Sequence, residues 1–299
     1  MSGKSPTSYT FDKYSNETFQ IRGLDCLAHH WNVESSSPRA LVIVFHGFLT
    51  HGTYPTVRYA AELLSSANYA CVAVDLPGHG QSEGLAGYLE SASTVLEDGA
   101  TIVKYATKLM EEKNTKKYKV FLVGSSMGGS IALAVAQKLK EQISGVVLLG
   151  PMLKLNVSPI ERFGLQGLAM ICPTVSLIPS SSTNSEKQYR DEAKRKECDT
   201  DPYTVSGAYL KPGSALALVE MTDLVQDQFE STTVPFLLMI ADQDVLIKNE
   251  GSEQLFEKSP SQDKTKKNYP ALHGLLCEPS PLCETIQNDM LSWLNARSK

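Results

Sequence analysis

Five residues, Gly124-Ser125-Ser126-Met127-Gly128, place a hydroxyl between glycines at a spacing that suits nucleophilic attack. They follow the apolar run Tyr118-Lys119-Val120-Phe121-Leu122-Val123 and precede the helix-like segment Ser130 to Leu139. A strand, a tight turn and a helix with serine at the apex lift the hydroxyl clear of the sheet, as a nucleophile elbow does. The glycines two residues either side of Ser126 are needed because a strained turn pressed against its own strand and helix leaves no room for a Cβ.

A serine hydroxyl is a weak nucleophile near neutral pH, so it requires a base to take its proton and a carboxylate to orient that base. After an elbow of this kind the acid and then the histidine follow in the chain. His273 is the one histidine downstream of Ser126, in the loop Tyr269-Pro270-Ala271-Leu272-His273-Gly274 after a predicted strand Lys266 to Tyr269. The run Val234 to Ile240 ends in Ala241-Asp242-Gln243-Asp244, which offers two acids. A carboxylate at the strand end points into the sheet edge, whereas one further into the loop reaches back, which favours Asp244 and leaves Asp242 as the alternative. Attack on an ester creates an oxyanion that needs preorganised donors. The main-chain N–H of Met127, at the start of a helix, is one. The other is Phe48 in His46-Gly47-Phe48-Leu49, with Gly47 allowing close approach. His46 reads as a hydrogen-bonded structural histidine. Asp75 to Gly84 reads as a tight turn shaping the pocket floor, and no phosphate-cradling signature is present.

The elements that must hold these groups alternate. Ala40–Phe45, Ala70–Val74, Val120–Val123, Gly145–Leu149 and Val234–Ile240 read as buried strands. Helices are predicted near Thr56–Ser66, Ser93–Glu112, Ser130–Glu141, Gly251–Lys258 and Leu282–Ala296. This pattern predicts an α/β fold with a parallel sheet covered on both faces. Tyr9 to Val33, alternating around Arg22-Gly23, predicts an antiparallel edge hairpin. The alternation fails over residues 151–224, which are read as a cap inserted between the two parts of the core, 1–150 and 225–299. An insertion at a strand's C-terminal end sits over the ligand side of an open α/β sheet. Within it Ile160, Phe163, Gly164, Gly167, Leu168 and Ile171 share a helical stripe, open to two readings: a face packed on the core, or a lid facing lipid or substrate. The two glycines weaken that helix in isolation.

With 299 residues, 42% of them hydrophobic, the chain can bury a substantial core. The net charge of −5 and scattered basic residues give nucleic-acid binding little support. Six cysteines without C-x-x-C or zinc-like spacing read as reduced and structural, so no metal or other cofactor is expected. The N-terminal residues lack an apolar signal core and no stretch is long enough to span a bilayer, which predicts a cytoplasmic chain, able at most to touch a membrane through its cap.

Taken together, His46-Gly47, Gly78-His79-Gly80-Gln81-Ser82-Glu83-Gly84, Gly124-Ser125-Ser126-Met127-Gly128-Gly129 and Val234-Pro235-Phe236-Leu237-Leu238 resemble the monoacylglycerol lipase-like branch of the α/β-hydrolases, which includes lysophospholipases and plant caffeoylshikimate esterases. The resemblance implies an α/β-hydrolase fold with a mostly parallel eight-stranded sheet and an inserted helical cap. It also implies a Ser126, Asp244, His273 triad, with Phe48 and Met127 as oxyanion donors. The expected activity is hydrolysis of a small-molecule carboxylic ester, a monoacylglycerol or lysolipid first and a hydroxycinnamoyl-type ester second; a ligand receptor on the same fold is the non-enzymatic alternative. Ser125 stands where the branch usually has histidine or glutamate, and Ala241 where it usually has glycine. Gly84 replaces the aspartate of the acyltransferase signature seen in some plant relatives, which weakens acyl transfer. Aspartate would be needed at position 126 for dehalogenase or epoxide hydrolase chemistry.

Overall fold

The computed structural model describes residues 13–113, 116–179, 184–207 and 209–299. The edge hairpin forms as β1 (Tyr14–Ile21) and β2 (Leu24–Trp31). Its two turn residues, Arg22 and Gly23, take φ of 52° and 78°, the left-handed pair that matches the twist of a two-residue hairpin. Tyr9 to Asp12, read as part of this hairpin, lie outside the described residues. The chain continues through β3 (Leu41–Phe45), α1 (Pro55–Ser66), β4 (Ala70–Val74), α2 (Ala92–Lys113), β5 (Val120–Ser126), α3 (Met127–Lys138) and β6 (Ile143–Pro151). The insertion then supplies α4 (Pro159–Ile171), a two-residue strand β7 (Ile178–Pro179), α5 (Glu192–Asp199), its partner β8 (Tyr209–Leu210) and α6 (Pro212–Gln226). The chain closes with β9 (Phe236–Ala241), α7 (Asn249–Lys258), β10 (Lys264–Tyr269) and α8 (Leu282–Arg297).

Eight strands make one sheet in the order β1-β2-β4-β3-β5-β6-β9-β10. β2 pairs antiparallel with both its neighbours, and every pairing from β4 to β10 is parallel. Because both faces are covered, β3, β4 and β9 are apolar at every position yet still alternate in what they touch. In β3, Leu41, Ile43 and Phe45 join the core beneath α2 and α3, while Val42 and Val44 join the one beneath α1 and α8. β9 divides in the same way, with Phe236, Leu238 and Ile240 on the first side and Leu237 and Met239 on the second. The cap boundary read at residue 224 falls inside α6, whose Ala217, Met221 and Val225 are buried in the first of these cores. The helix therefore starts in the insertion and ends as part of the sheet's cover.

Helix α4 spans the residues its stripe predicts despite Gly164 and Gly167. A capping box compensates: Ser158 Oγ accepts from the Glu161 N–H at 3.3 Å and Glu161 Oε2 accepts from the Ser158 N–H at 2.8 Å, with Pro159 in the first turn. Arg162 on α4 pairs with Asp223 on α6 at 2.6 Å.

Candidate active site

β5 passes into α3 at Ser126, which adopts φ 54° and ψ −123°. A Cβ on Gly124 would collide with the carbonyl of Gly128, and one on Gly128 with the carbonyls of Phe45 and His46. The elbow is thus packed too tightly for any side chain but hydrogen at these two positions. Met127 opens α3, so its N–H is among the donors a helix leaves without an internal acceptor. The β3 loop lies alongside: a Cβ on Gly47 would stand 3.6 Å from Ser126 Cβ. Phe48, Ser126 and His273 all line one cavity.

The loops after β9 and β10 bring the remaining groups together. His273 Nδ1 lies 2.6 Å from Asp244 Oδ2, with the carboxylate side chain wholly buried. Asp244 Oδ1 accepts from the N–H groups of Leu246 (2.8 Å) and Ile247 (3.3 Å), which fixes the carboxylate's orientation. Gly150, near the end of β6, runs beside this pair with φ of 48°, a left-handed conformation that favours glycine. Asp242 is elsewhere: exposed, with Oδ1 accepting from Asn268 Nδ2 at 2.8 Å. Nδ1 of His273 donates to Asp244, which leaves Nε2 as the acceptor for a serine proton.

His46 is structural. Its Nδ1 donates to the Gly47 carbonyl at 2.7 Å and its Nε2 accepts from the Leu76 N–H at 3.1 Å, so the neutral ring holds the Phe48 loop to the end of β4. The Asp75–Gly84 turn does not form the pocket floor. It stands behind the Phe48 loop: Asp75 Oδ1 accepts from the Gly52 N–H at 2.7 Å and Oδ2 from the Gln81 N–H at 2.8 Å. The His79 ring packs against His46 and Phe48. Burial raises the Asp75 pKa, but His29 Nε2 at 2.9 Å and these donors outweigh burial and hold it below the usual carboxylate range. The same loop is tied to the insertion, His51 Nε2 meeting Asp201 Oδ1 at 2.7 Å and the Val205 N–H donating to Leu49 O at 2.9 Å. No local motif marks Asp75, His51 or Asp201; an acid closing an apolar strand is the one signal that pointed at Asp75.

Burial pushes three histidines down, His46 to about 3 and His30 and His79 to about 4. In the unfolded chain each titrates near the ordinary value of about 6.5. Below that pH the unfolded state binds more protons, so stability falls as pH drops toward the folded values, by about 1.4 kcal/mol per unit for each histidine. Urea denaturation in a pH series is expected to show the stability falling steeply between pH 6 and 4; a flat profile there would mean that these rings are protonated freely in the folded protein.

The sequence profile described as serine aminopeptidase, S33 (Hydrolase_4) matches residues 36–280. Rat monoglyceride lipase is 28% identical over 268 residues, covering 88% of this chain and 84% of the relative. Arabidopsis thaliana caffeoylshikimate esterase is 28% identical, covering 87% and 79%. Among solved structures, the monoacylglycerol lipase of Paleococcus ferrophilus superposes with a TM-score of 0.75 at 25% identity, covering 92% of this chain and 99% of that one. An elbow serine, a buried acid–histidine pair and an eight-stranded sheet thus coincide with a profile match over most of the chain, which belongs to the serine aminopeptidase S33 (Hydrolase_4) family of α/β-hydrolases.

Proposed function

We propose that this ester hydrolase cleaves monoacylglycerols through Ser126, His273 and Asp244, beneath a cap formed by the insertion. Ser126 Oγ attacks the acyl carbonyl as His273 Nε2 takes its proton, and Asp244 stabilises the resulting imidazolium. The N–H groups of Met127 and Phe48 face the developing oxyanion. Collapse returns the proton to the leaving glycerol oxygen, and water activated by His273 then releases the fatty acid and restores Ser126.

The observation that carries the substrate class is the cavity under α4. It measures about 570 Å³ and runs from Ser126 and His273 past Leu155, Leu165, Leu168 and Leu218, a mostly apolar lining that suits an acyl chain. The stripe on α4 is divided in two: Gly164 and Leu168 line the cavity, while Ile160, Phe163 and Ile171 are 85%, 78% and 85% exposed, beside Met170 at 86%. Four large apolar side chains left in water each gain about 1.5–3 kcal/mol on burial, so this outer face suits a lipid surface, with the substrate drawn in under the same helix. Among the described residues no helix is long and apolar enough to cross a membrane.

The test sets monoacylglycerols of rising chain length against caffeoyl and p-nitrophenyl esters, and measures sedimentation with phosphatidylcholine vesicles. Long-chain monoacylglycerols are expected to exceed the hydroxycinnamoyl esters in kcat/KM by at least about tenfold, and the Phe163→Glu, Ile171→Glu double variant to lose vesicle binding. A preference for the caffeoyl ester would transfer the assignment to specialised-metabolite esters, and absence of turnover on every ester to a receptor.

A further inference from the structure

Two loops supply the acid and the base, and neither belongs to regular secondary structure. Something must hold them at the separation the 2.6 Å Asp244–His273 contact requires. The main chain joins their bases, the Asp242 N–H donating to Tyr269 O at 2.9 Å and the Gln243 N–H to Ala271 O at 3.0 Å, and a side chain from the insertion reaches both loops further along. Arg190 donates from Nη2 to Gln243 Oε1 at 2.7 Å, one residue before Asp244, and from Nη1 to the Pro270 carbonyl at 3.0 Å, three residues before His273. Nη1 also lies 2.9 Å from Glu278 Oε2. Glu278 has a wholly buried side chain, and its other oxygen accepts from the N–H of Leu272, the residue before His273, at 2.6 Å. The main chain around Arg190 reinforces the contact, with the Gly274 N–H donating to Gln188 O at 2.8 Å and the Asp191 N–H to Cys277 O at 3.2 Å.

We propose that Arg190, with Glu278 behind it, is a positioning residue for the triad, locking the acid loop and the histidine loop to one another from the insertion. The proposal rests on the reading of Ser126, Asp244 and His273 as that triad. The planar guanidinium presents five donors in a fixed fork, so one side chain can serve acceptors on both loops at once. A buried carboxylate needs both a countercharge and hydrogen-bond donors. Glu278 receives its charge partner from Arg190 and its donor from Leu272, so the arginine and the backbone beside His273 are joined through it. Removing the guanidinium frees the Gln243 side chain and the Pro270 carbonyl and strands Glu278; the main-chain bonds from Asp242 to Tyr269 and from Gln243 to Ala271 still join the loops, but the histidine loop beyond them can shift relative to Asp244.

The experiment measures kcat and KM for p-nitrophenyl butyrate, and the rate of fluorophosphonate labelling, in Arg190→Ala, Arg190→Lys, Gln243→Ala and Glu278→Gln, with thermal melts to confirm folding. A displacement of about 1 Å in a catalytic group can cost about 100-fold. Arg190→Ala is therefore expected to lose about 10- to 100-fold in kcat with KM nearly unchanged, and to be labelled more slowly by a similar factor. Arg190→Lys should recover part of this, because a single ammonium cannot span both loops. Gln243→Ala, which removes one exposed arm, should lose less than Arg190→Ala. Glu278→Gln keeps the acceptor for Leu272 and loses the charge partner of Arg190, so it should fall between them. A merely structural role would lower the melting temperature and leave kcat and labelling of the folded protein at wild-type values, and that result in Arg190→Ala overturns the proposal. If Arg190→Ala does not fold, wild-type kcat in both Arg190→Lys and Gln243→Ala overturns it. Ser126→Ala in the same assay separates the two readings: turnover persisting there refutes the triad itself.

Discussion

Ser126→Ala is expected to lower ester turnover by about 10⁶-fold, while Ser126→Gly does the same and makes the protein more stable. The first effect follows from the chemistry: without Oγ no acyl-enzyme forms, and residual turnover comes only from the oxyanion donors and binding. The second follows from the backbone. At φ 54° and ψ −123° Ser126 occupies a conformation open to glycine and strained for any residue with a Cβ. Such strain costs about 1–3 kcal/mol, against about 0.5–1 kcal/mol for the extra chain entropy that glycine loses on folding. The net gain for Ser126→Gly is about 1 kcal/mol. Equilibrium urea denaturation of the two variants measures it. A glycine variant less stable than the alanine variant would show that the elbow is unstrained, and full turnover in either would place the nucleophile elsewhere.

Asp244→Asn is expected to cost about 10⁴ in kcat, the size of the effect when the orienting acid of a serine triad is converted to its amide. The geometry gives the reason. Asp244 Oδ1 accepts from the N–H groups of Leu246 and Ile247, so an asparagine must keep its carbonyl oxygen there. Its amide N–H₂ then faces His273 Nδ1, which has to become an acceptor. The ring's proton moves to Nε2, the nitrogen that must be free to accept from Ser126. Asp242→Asn should leave kcat within about twofold, because that carboxylate is exposed and engages Asn268. Reversal of the two results would assign the orienting role to Asp242.

These variants mark where sequence reading reaches its limit. The elbow is legible because strand, turn and helix are contiguous and the contact that bars a side chain from Gly124 lies within the elbow; the one that bars it from Gly128 comes from the end of β3, far earlier in the chain. His273 is legible by chain order. The choice between Asp242 and Asp244 is less so, since two residues along a loop reverse a side chain's direction, and what selects Asp244 is the turn in which its own Oδ1 accepts from residues 246 and 247. The α4 stripe shows another limit. Periodicity marks apolar residues on one broad face, yet a helix lying across the mouth of a cavity has two apolar surroundings, and only its packing against α6 decides that Leu165 is buried and Leu168 borders the cavity while Phe163 stays in water.

What the chain by itself marked out is therefore a candidate chemistry and its order: a serine on a tight turn, an acid and a histidine downstream, backbone donors at a helix start, and alternating strands and helices to carry them. Tertiary structure alone decided which carboxylate meets His273, that the Asp75–Gly84 turn supports the Phe48 loop instead of flooring the pocket, and that Arg190 of the insertion meets the loops carrying Asp244 and His273. The physical reason is range. Propensity, periodicity and turn chemistry act over a few residues, whereas hydrogen bonds such as those from Arg190 to Gln243 and Pro270 join segments far apart in the chain, which meet only after the sheet has brought its strand ends to one edge.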